Sequence, residues 1–156
     1  MRILITGGAG FIGTNVTLSA IERGHTVLNV DCLSYAGSLT NLVSIEKHPR
    51  YFFEQTDITD QDKIQNIFEN FQPEYVFHLA AETHVDRSID SALTVLSSNV
   101  MGTCVLLDIF TKYWVGKGCP DNYVFHHVST DEVFGSVDDN IKFNENTKYD
   151  PRNPYS

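Results

Sequence analysis

Five short runs of apolar residues set the tightest limit on what this chain can fold into: Ile3–Thr6, Thr26–Val30, Tyr51–Gln55, Tyr75–Leu79 and Tyr123–Val128. Each is rich in β-branched or aromatic side chains, and none keeps a strict apolar–polar alternation. A strand with one wet face would alternate, so these runs are predicted as strands covered on both faces. Helical patterns separate them. Phe11 to Ile21 reads as a first helix that stops near Gly24. "DQDKIQNIFENF" places Ile64, Ile67, Phe68 and Phe71 on one stripe, with Asp60 and Asp62 at the end where the helix dipole favours negative charge. Strands alternating with helices predict an α/β fold: a doubly wound parallel sheet with helices on both faces.

The segment from Ala92 to Trp114 predicts the longest helix, weakened in its middle by Gly102. Its apolar positions, among them Leu93, Leu96, Val100, Met101, Leu106 and Phe110, exceed what one buried stripe needs. Such a helix is either wedged between the sheet and further chain or packed against a second copy. The second case would make the protein a homodimer through the 92–114 helix. Past Gly135 the sequence turns polar and irregular. It reaches "DPRNPYS", where Pro154 suits the first turn of a helix, so the chain is expected to continue.

A chain of 156 residues can bury a single core. Its formal net charge of −9 leaves no basic surplus to neutralise phosphates, which argues against nucleic acid or an anionic membrane as partner. A small anion held by backbone amides stays open. Cys32, Cys104 and Cys119 are odd in number and scattered, with no CxxC pair. They predict neither a disulfide framework nor a zinc site, and a cytoplasmic setting. The N-terminal run is broken by glycines and lacks a cleavage pattern, and no stretch reads as a transmembrane span.

Between the first strand and the first helix lies "TGGAGFIG", with Gly7, Gly10 and Gly13 at even spacing. This is a G-x-x-G-x-x-G form of the dinucleotide fingerprint, and it makes the expected sheet Rossmann-like. Gly7 permits the tight turn and Gly10 lets the backbone approach a pyrophosphate. Gly13 lets the helix lie close on the strand, and the helix N-terminus supplies amide donors. A plain strand–turn–helix also uses glycines, so the acid downstream carries weight. Asp31 closes the second strand, where a carboxylate can accept both ribose hydroxyls of adenosine and would repel a 2′-phosphate. No arginine or lysine lies in "CLSYAGSLTNL", so the predicted cofactor is NAD rather than NADP. A turn or cap is the other role open to Asp31. Asp57 could hydrogen-bond adenine or cap the next helix, although Asp60 suits that cap better.

Ligands of open parallel sheets collect beyond the carboxyl ends of the strands. There the fourth strand leads into "HLAAETHVDRS", whose Ala80 and Ala81 let a flat group lie against the backbone. Glu82, Thr83, His84, Asp86 and Arg87 crowd the loop beyond. His78, His126 and His127 read as core histidines, and no spacing suits a metal. The fifth strand ends in "VSTDEVFG". Asp131 and Glu132 repel each other and are costly to desolvate, so a strand end gains nothing structural from the pair. A reaction that needs neighbouring acid and base groups in different protonation states does gain.

"TGGAGFIG", "VDCLSYAGSLTNL", "HLAAETHVDRSI", "STDEVFG" and "NPYS" follow one another in an order that resembles the extended short-chain dehydrogenase/reductases. Within them the chain is most similar to the dTDP-glucose 4,6-dehydratases. The glycines point only to the superfamily; "HVDRS" with "STDE" points to the dehydratases, because related epimerases and decarboxylases usually lack one or both acids. The resemblance implies that residues 1–156 are an incomplete NAD-binding Rossmann domain, with the C-terminal substrate domain absent from this chain. It implies dehydration of a nucleotide-activated glucose, with dTDP-glucose as partner, by transient oxidation, elimination and re-reduction. A UDP-sugar 4-epimerase and a non-catalytic NAD-binding module are the alternatives.

By the same resemblance the catalytic residues are Thr130, Asp131, Glu132 and Tyr155. Glu132 is the base at carbon 5, Asp131 the acid for the leaving 6-hydroxyl, and Thr130 a hydrogen-bond partner of the 4-oxygen. Tyr155 matches the tyrosine of a Tyr-x-x-x-Lys motif. Its lysine falls past Ser156, so this chain alone is expected to be inactive. Cofactor contacts are implied at Gly7, Gly10, Phe11, Ile12 and Gly13, and after the second strand at Asp31, Cys32, Leu33 and Ser34. Others fall at Asp57, Ile58, Leu79, Ala80, Ala81, Thr83 and Ser98. Substrate contacts are implied at Thr83, His84, Arg87 and Thr130. Cys32 stands where many members carry lysine, and Phe134 where "DEVYG" has tyrosine; neither removes a named role.

Overall fold

The computed structural model describes residues 1–136 and 142–156, so part of the irregular stretch after Gly135 lies outside the described residues. The apolar runs become β1 (Arg2–Thr6), β2 (Thr26–Asp31), β3 (Tyr51–Gln55), β4 (Tyr75–His78) and β5 (Val124–His127). They pair in parallel in the order β3-β2-β1-β4-β5. Helices α1 (Phe11–Glu22), α2 (Gln61–Phe71), α3 (Val85–Asp90), α4 (Ala92–Val95) and α5 (Thr103–Gly116) complete the fold. This is the Rossmann-like, doubly wound sheet that the alternation predicts.

The lack of alternation in β1 has a direct cause. Leu4 joins Leu28, Val76, Ile64, Phe68, Leu106 and Ile109 on the face covered by α2 and α5. Ile3 and Ile5 join Val27, Ala20, Ile21 and Leu42 on the face covered by α1 and a 3₁₀ helix, Leu39–Ile45. Consecutive side chains are thus buried on opposite sides, each contributing about 1.5–3 kcal/mol. Asp60 caps α2 by accepting from the Lys63 amide at 3.1 Å, as expected.

Three expectations change. His126 and His127 are exposed rather than core, because β5 is an edge strand and its flanks stay open among the described residues. His126 instead lies against Phe77, with ring centroids 5.1 Å apart, and its Nδ1 meets the Tyr75 hydroxyl. The segment after Thr83 is not a loop: Asp86 and Arg87 sit on α3. The long helix is not uniform, since a π-helical segment, Leu96–Gly102, joins α4 to α5. Gly102 is no weak point there. A Cβ on it would lie 2.5 Å from the Ile58 side chain, so the glycine is what lets the helix approach.

The joined run Ala92–Gly116 has 25 residues and is long and apolar enough to cross a membrane by length and composition. Its inner stripe, Val95, Leu106, Ile109 and Phe110, is buried in this domain. Leaving would dismantle the core beside α2, so the run is a layer of this fold.

Candidate active site

The ends of four strands fall in one row. Thr6 is level with Val30 and His78, and His78 with His127, so whatever follows these residues gathers on one rim. The glycine turn follows Thr6. Gly7 has φ of 70°, its amide donates to Val30 O at 2.8 Å, and a Cβ on it would lie 2.7 Å from Ala80 N. A Cβ on Gly13 would lie 2.0 Å from Gly7 O, so α1 can start this close only with glycine. Gly10 caps α1 without a side-chain acceptor, and Phe11 and Ile12 are exposed. The first-turn amides therefore stand ready for an anion. Gly8, outside the fingerprint spacing, is equally constrained: its Cβ would meet the buried Asn29 Oδ1 at 2.2 Å.

Asp31 is 7% exposed and does structural work: Oδ2 accepts from Ala9 N at 3.0 Å, and Oδ1 from Leu33 N at 2.8 Å. A carboxylate offers about four lone-pair sites, which leaves acceptor capacity for hydroxyls. Cys32 and Ser34 are exposed beside it, and Leu33 turns the chain with φ of 55°. Asp57 is exposed, and its Oδ1 accepts from both the amide and the hydroxyl of Thr59. Ile58 is buried against Gly102. The backbone cradle and the acid beside it suit a dinucleotide.

Behind the rim runs a line of hydrogen bonds. Ala80 N donates to Thr6 Oγ1 at 3.3 Å, and Thr6 Oγ1 meets His78 Nδ1 at 2.7 Å. His78 Nε2 meets Thr103 Oγ1 at 2.9 Å, which donates to Asn99 O at 2.6 Å. Thr103 has spent its proton, so Nε2 donates and Nδ1 accepts; the ring is neutral. Burial, helped by neighbouring His127, lowers its pKa to about 4. Asn99 then clamps Glu82 on both sides, accepting from its amide and donating to its carbonyl at 2.8 Å each. The exposed Ala81, Thr83 and His84 thus flank a fixed backbone, with Leu79 half-buried below and Ser98 on the π-helical segment.

The acid pair sits on a 3₁₀ turn, Asp131–Phe134, just beyond β5. Thr130 Oγ1 caps it by accepting from Glu132 N at 3.2 Å. Both acids are exposed, on the same rim as the glycines and turned out of the core. Asp150 N donates to Val133 O, Gly135 packs on Asp150, and Phe134 lies between Phe143 and Tyr149. Asn153 was not singled out from the sequence. Its Oδ1 accepts from Ser156 N at 2.8 Å, a helix N-cap pattern with Pro154 and Tyr155 next in line, and its Nδ2 donates to Glu132 Oε2 at 3.2 Å. Asn153 so ties the turn holding the half-buried Tyr155 to Glu132. Among the described residues no cluster of three or more His, Cys, Asp or Glu could hold a metal.

The family described as GDP-mannose 4,6 dehydratase matches residues 4–156. The dTDP-glucose 4,6-dehydratase of Salmonella typhimurium is 46% identical, over all of this chain and 46% of its own length. A dTDP-glucose 4,6-dehydratase from Bacillus anthracis, solved in complex with NAD, superposes with a TM-score of 0.85 at 32% identity, over 99% of this chain and 46% of that one. The UDP-glucose 4-epimerase of Thermotoga maritima, solved with UDP-glucose, also reaches 0.85, at 35% identity over the same shares. The chain therefore spans about half the length of the relatives it matches.

Proposed function

The chain belongs to the family described as GDP-mannose 4,6 dehydratase, and on that premise we propose that the protein carrying it dehydrates dTDP-glucose to the 4-keto-6-deoxy sugar nucleotide. Residues 1–156 supply the NAD-binding portion, and a substrate domain completes the enzyme. The observation that carries the reading is the Asp131–Glu132 pair, held outward on the rim of the glycine turn. An epimerase shares the fold but has no water to eliminate, so it has no use for a second acid there.

Bound NAD supplies an acceptor, and later a donor, for one hydride. The residues of this chain do the rest. Amides at the start of α1 bind the pyrophosphate and Asp31 the adenosine ribose. Tyr155 takes the 4-hydroxyl proton while Thr130 holds the 4-oxygen. The resulting ketone acidifies the carbon 5 proton, which Glu132 removes as Asp131 protonates the departing 6-hydroxyl. The two proton transfers need a carboxylate and a carboxylic acid side by side, and the adjacent pair can supply both. Thr83, His84 and Arg87 contact the sugar nucleotide. The protein works in the cytoplasm, where the exposed thiols of Cys32, Cys104 and Cys119 stay reduced. It assembles as a homodimer through the 92–114 helix, whose outer Leu93, Leu96, Val100 and Met101 are exposed in this chain.

Incubation of the intact protein with dTDP-glucose is expected to yield the 4-keto-6-deoxy product with no net consumption of NAD. Interconversion with the galactose nucleotide, without loss of water, would replace this reading with the epimerase.

A further inference from the structure

Tyr35 and Arg87 lie on opposite sides of the glycine turn, yet their side chains touch. Tyr35 follows β2 and Arg87 sits on α3 after β4, and the strand between β2 and β4 is β1, whose end carries Gly7–Gly10. Two strand spacings separate the two sides, roughly 10 Å. The Arg87 guanidinium carbon nonetheless lies 4.2 Å from the Tyr35 ring centroid, well inside cation–π range. Both supports are anchored. Leu33 N donates to Asp31 and Ser38 N to Ala9 O at 2.9 Å, which folds the Tyr35 segment back on the glycine turn. Asn99 fixes Glu82 ahead of α3, and Ser88 roots α3 in the interior. The contact itself can part: Tyr35 is 51% exposed, and Arg87 makes no ion pair among the described residues.

We propose that Tyr35 is a positioning residue that holds Arg87 across the mouth of the dinucleotide groove, so that this clasp must open before the cofactor leaves. The proposal rests on the NAD reading above and deepens it. A reaction that keeps a hydride on its cofactor between the first step and the last loses the turnover if that cofactor escapes. Tyr35 acts through the face of its ring, so its hydroxyl is dispensable.

The test follows release of NADH from the full-length protein, chased with excess NAD and read by nicotinamide fluorescence. Y35L keeps the bulk but lacks the π face, and is expected to release NADH about two- to five-fold faster, the size of an exposed cation–π contact. Y35F is expected to keep the wild-type rate. R87Q should match Y35L, and the double variant should be no faster than either, because both remove one contact. An unchanged rate in Y35L, a Y35F as fast as Y35L, or effects that multiply in the double variant would overturn the clasp alone. A wild type that binds no NADH would overturn the NAD reading and the clasp with it.

Discussion

His78 shows how much one residue can hold. It reaches Thr6 on β1 and Thr103 on α5, and through Thr103 the Asn99 clamp on Glu82. The bond from Thr6 requires the neutral ring, because Nδ1 accepts in it. Unfolded, the ring titrates near 6.5; folded, only near 4. Between those values the unfolded chain binds a proton that the folded chain does not, so stability is complete above pH 6.5 and falls as pH drops toward 4. Between pH 7 and 5 the loss is on the order of 2 kcal/mol. Chemical denaturation at both pH values should show that loss in the wild type and a smaller one in His78→Gln; equal losses would contradict the assignment. A core histidine was legible here because it lies in a continuous apolar run. Asn99 and Asn153 were not, since their partners lie 17 and 21 residues away and nothing local marks an asparagine as a clamp.

Among elements, the strands and α1, α2 and α5 were legible because burial on both faces or on one stripe leaves a local pattern. Short pieces were not. The 3₁₀ turn under the acid pair and helix α3 are each under two turns of helix and are set by Thr130 capping and Ser88 burial rather than by periodicity. β5 misled for a different reason: "YVFHHV" reads as buried, but whether a strand's flanks are covered depends on what packs beside it. Gly102 separates propensity from packing. If helix propensity governed, Gly102→Ala would stabilise by about 1 kcal/mol. The 2.5 Å approach to Ile58 instead predicts a loss of about 1–3 kcal/mol, from crowding. Ile58→Val trims the offending methyl and should recover part of it in the double variant, as measured by denaturation midpoints. A stabilised Gly102→Ala would contradict the packing account.

For the whole molecule, two faces of this chain ask for partners of different kinds. The outer stripe of the 92–116 run is apolar, with Leu93 81% exposed, and a second copy would cover it. Leu93→Glu with Val100→Glu should shift the intact protein from dimer to monomer in sedimentation; a wild type that sediments as a monomer would contradict that partner. The rim is polar and carries the residues of the proposed chemistry, and its parts come from four strand ends that meet only in the folded sheet. Glu132→Gln in the full-length enzyme, given dTDP-glucose, tests this arrangement most directly. Sugar oxidation should persist, seen as reduced nicotinamide absorbance, while loss of water slows by about 10²–10⁴-fold, the usual contribution of a positioned base. Water elimination at the wild-type rate would contradict the role of the acid pair and the dehydration built on it.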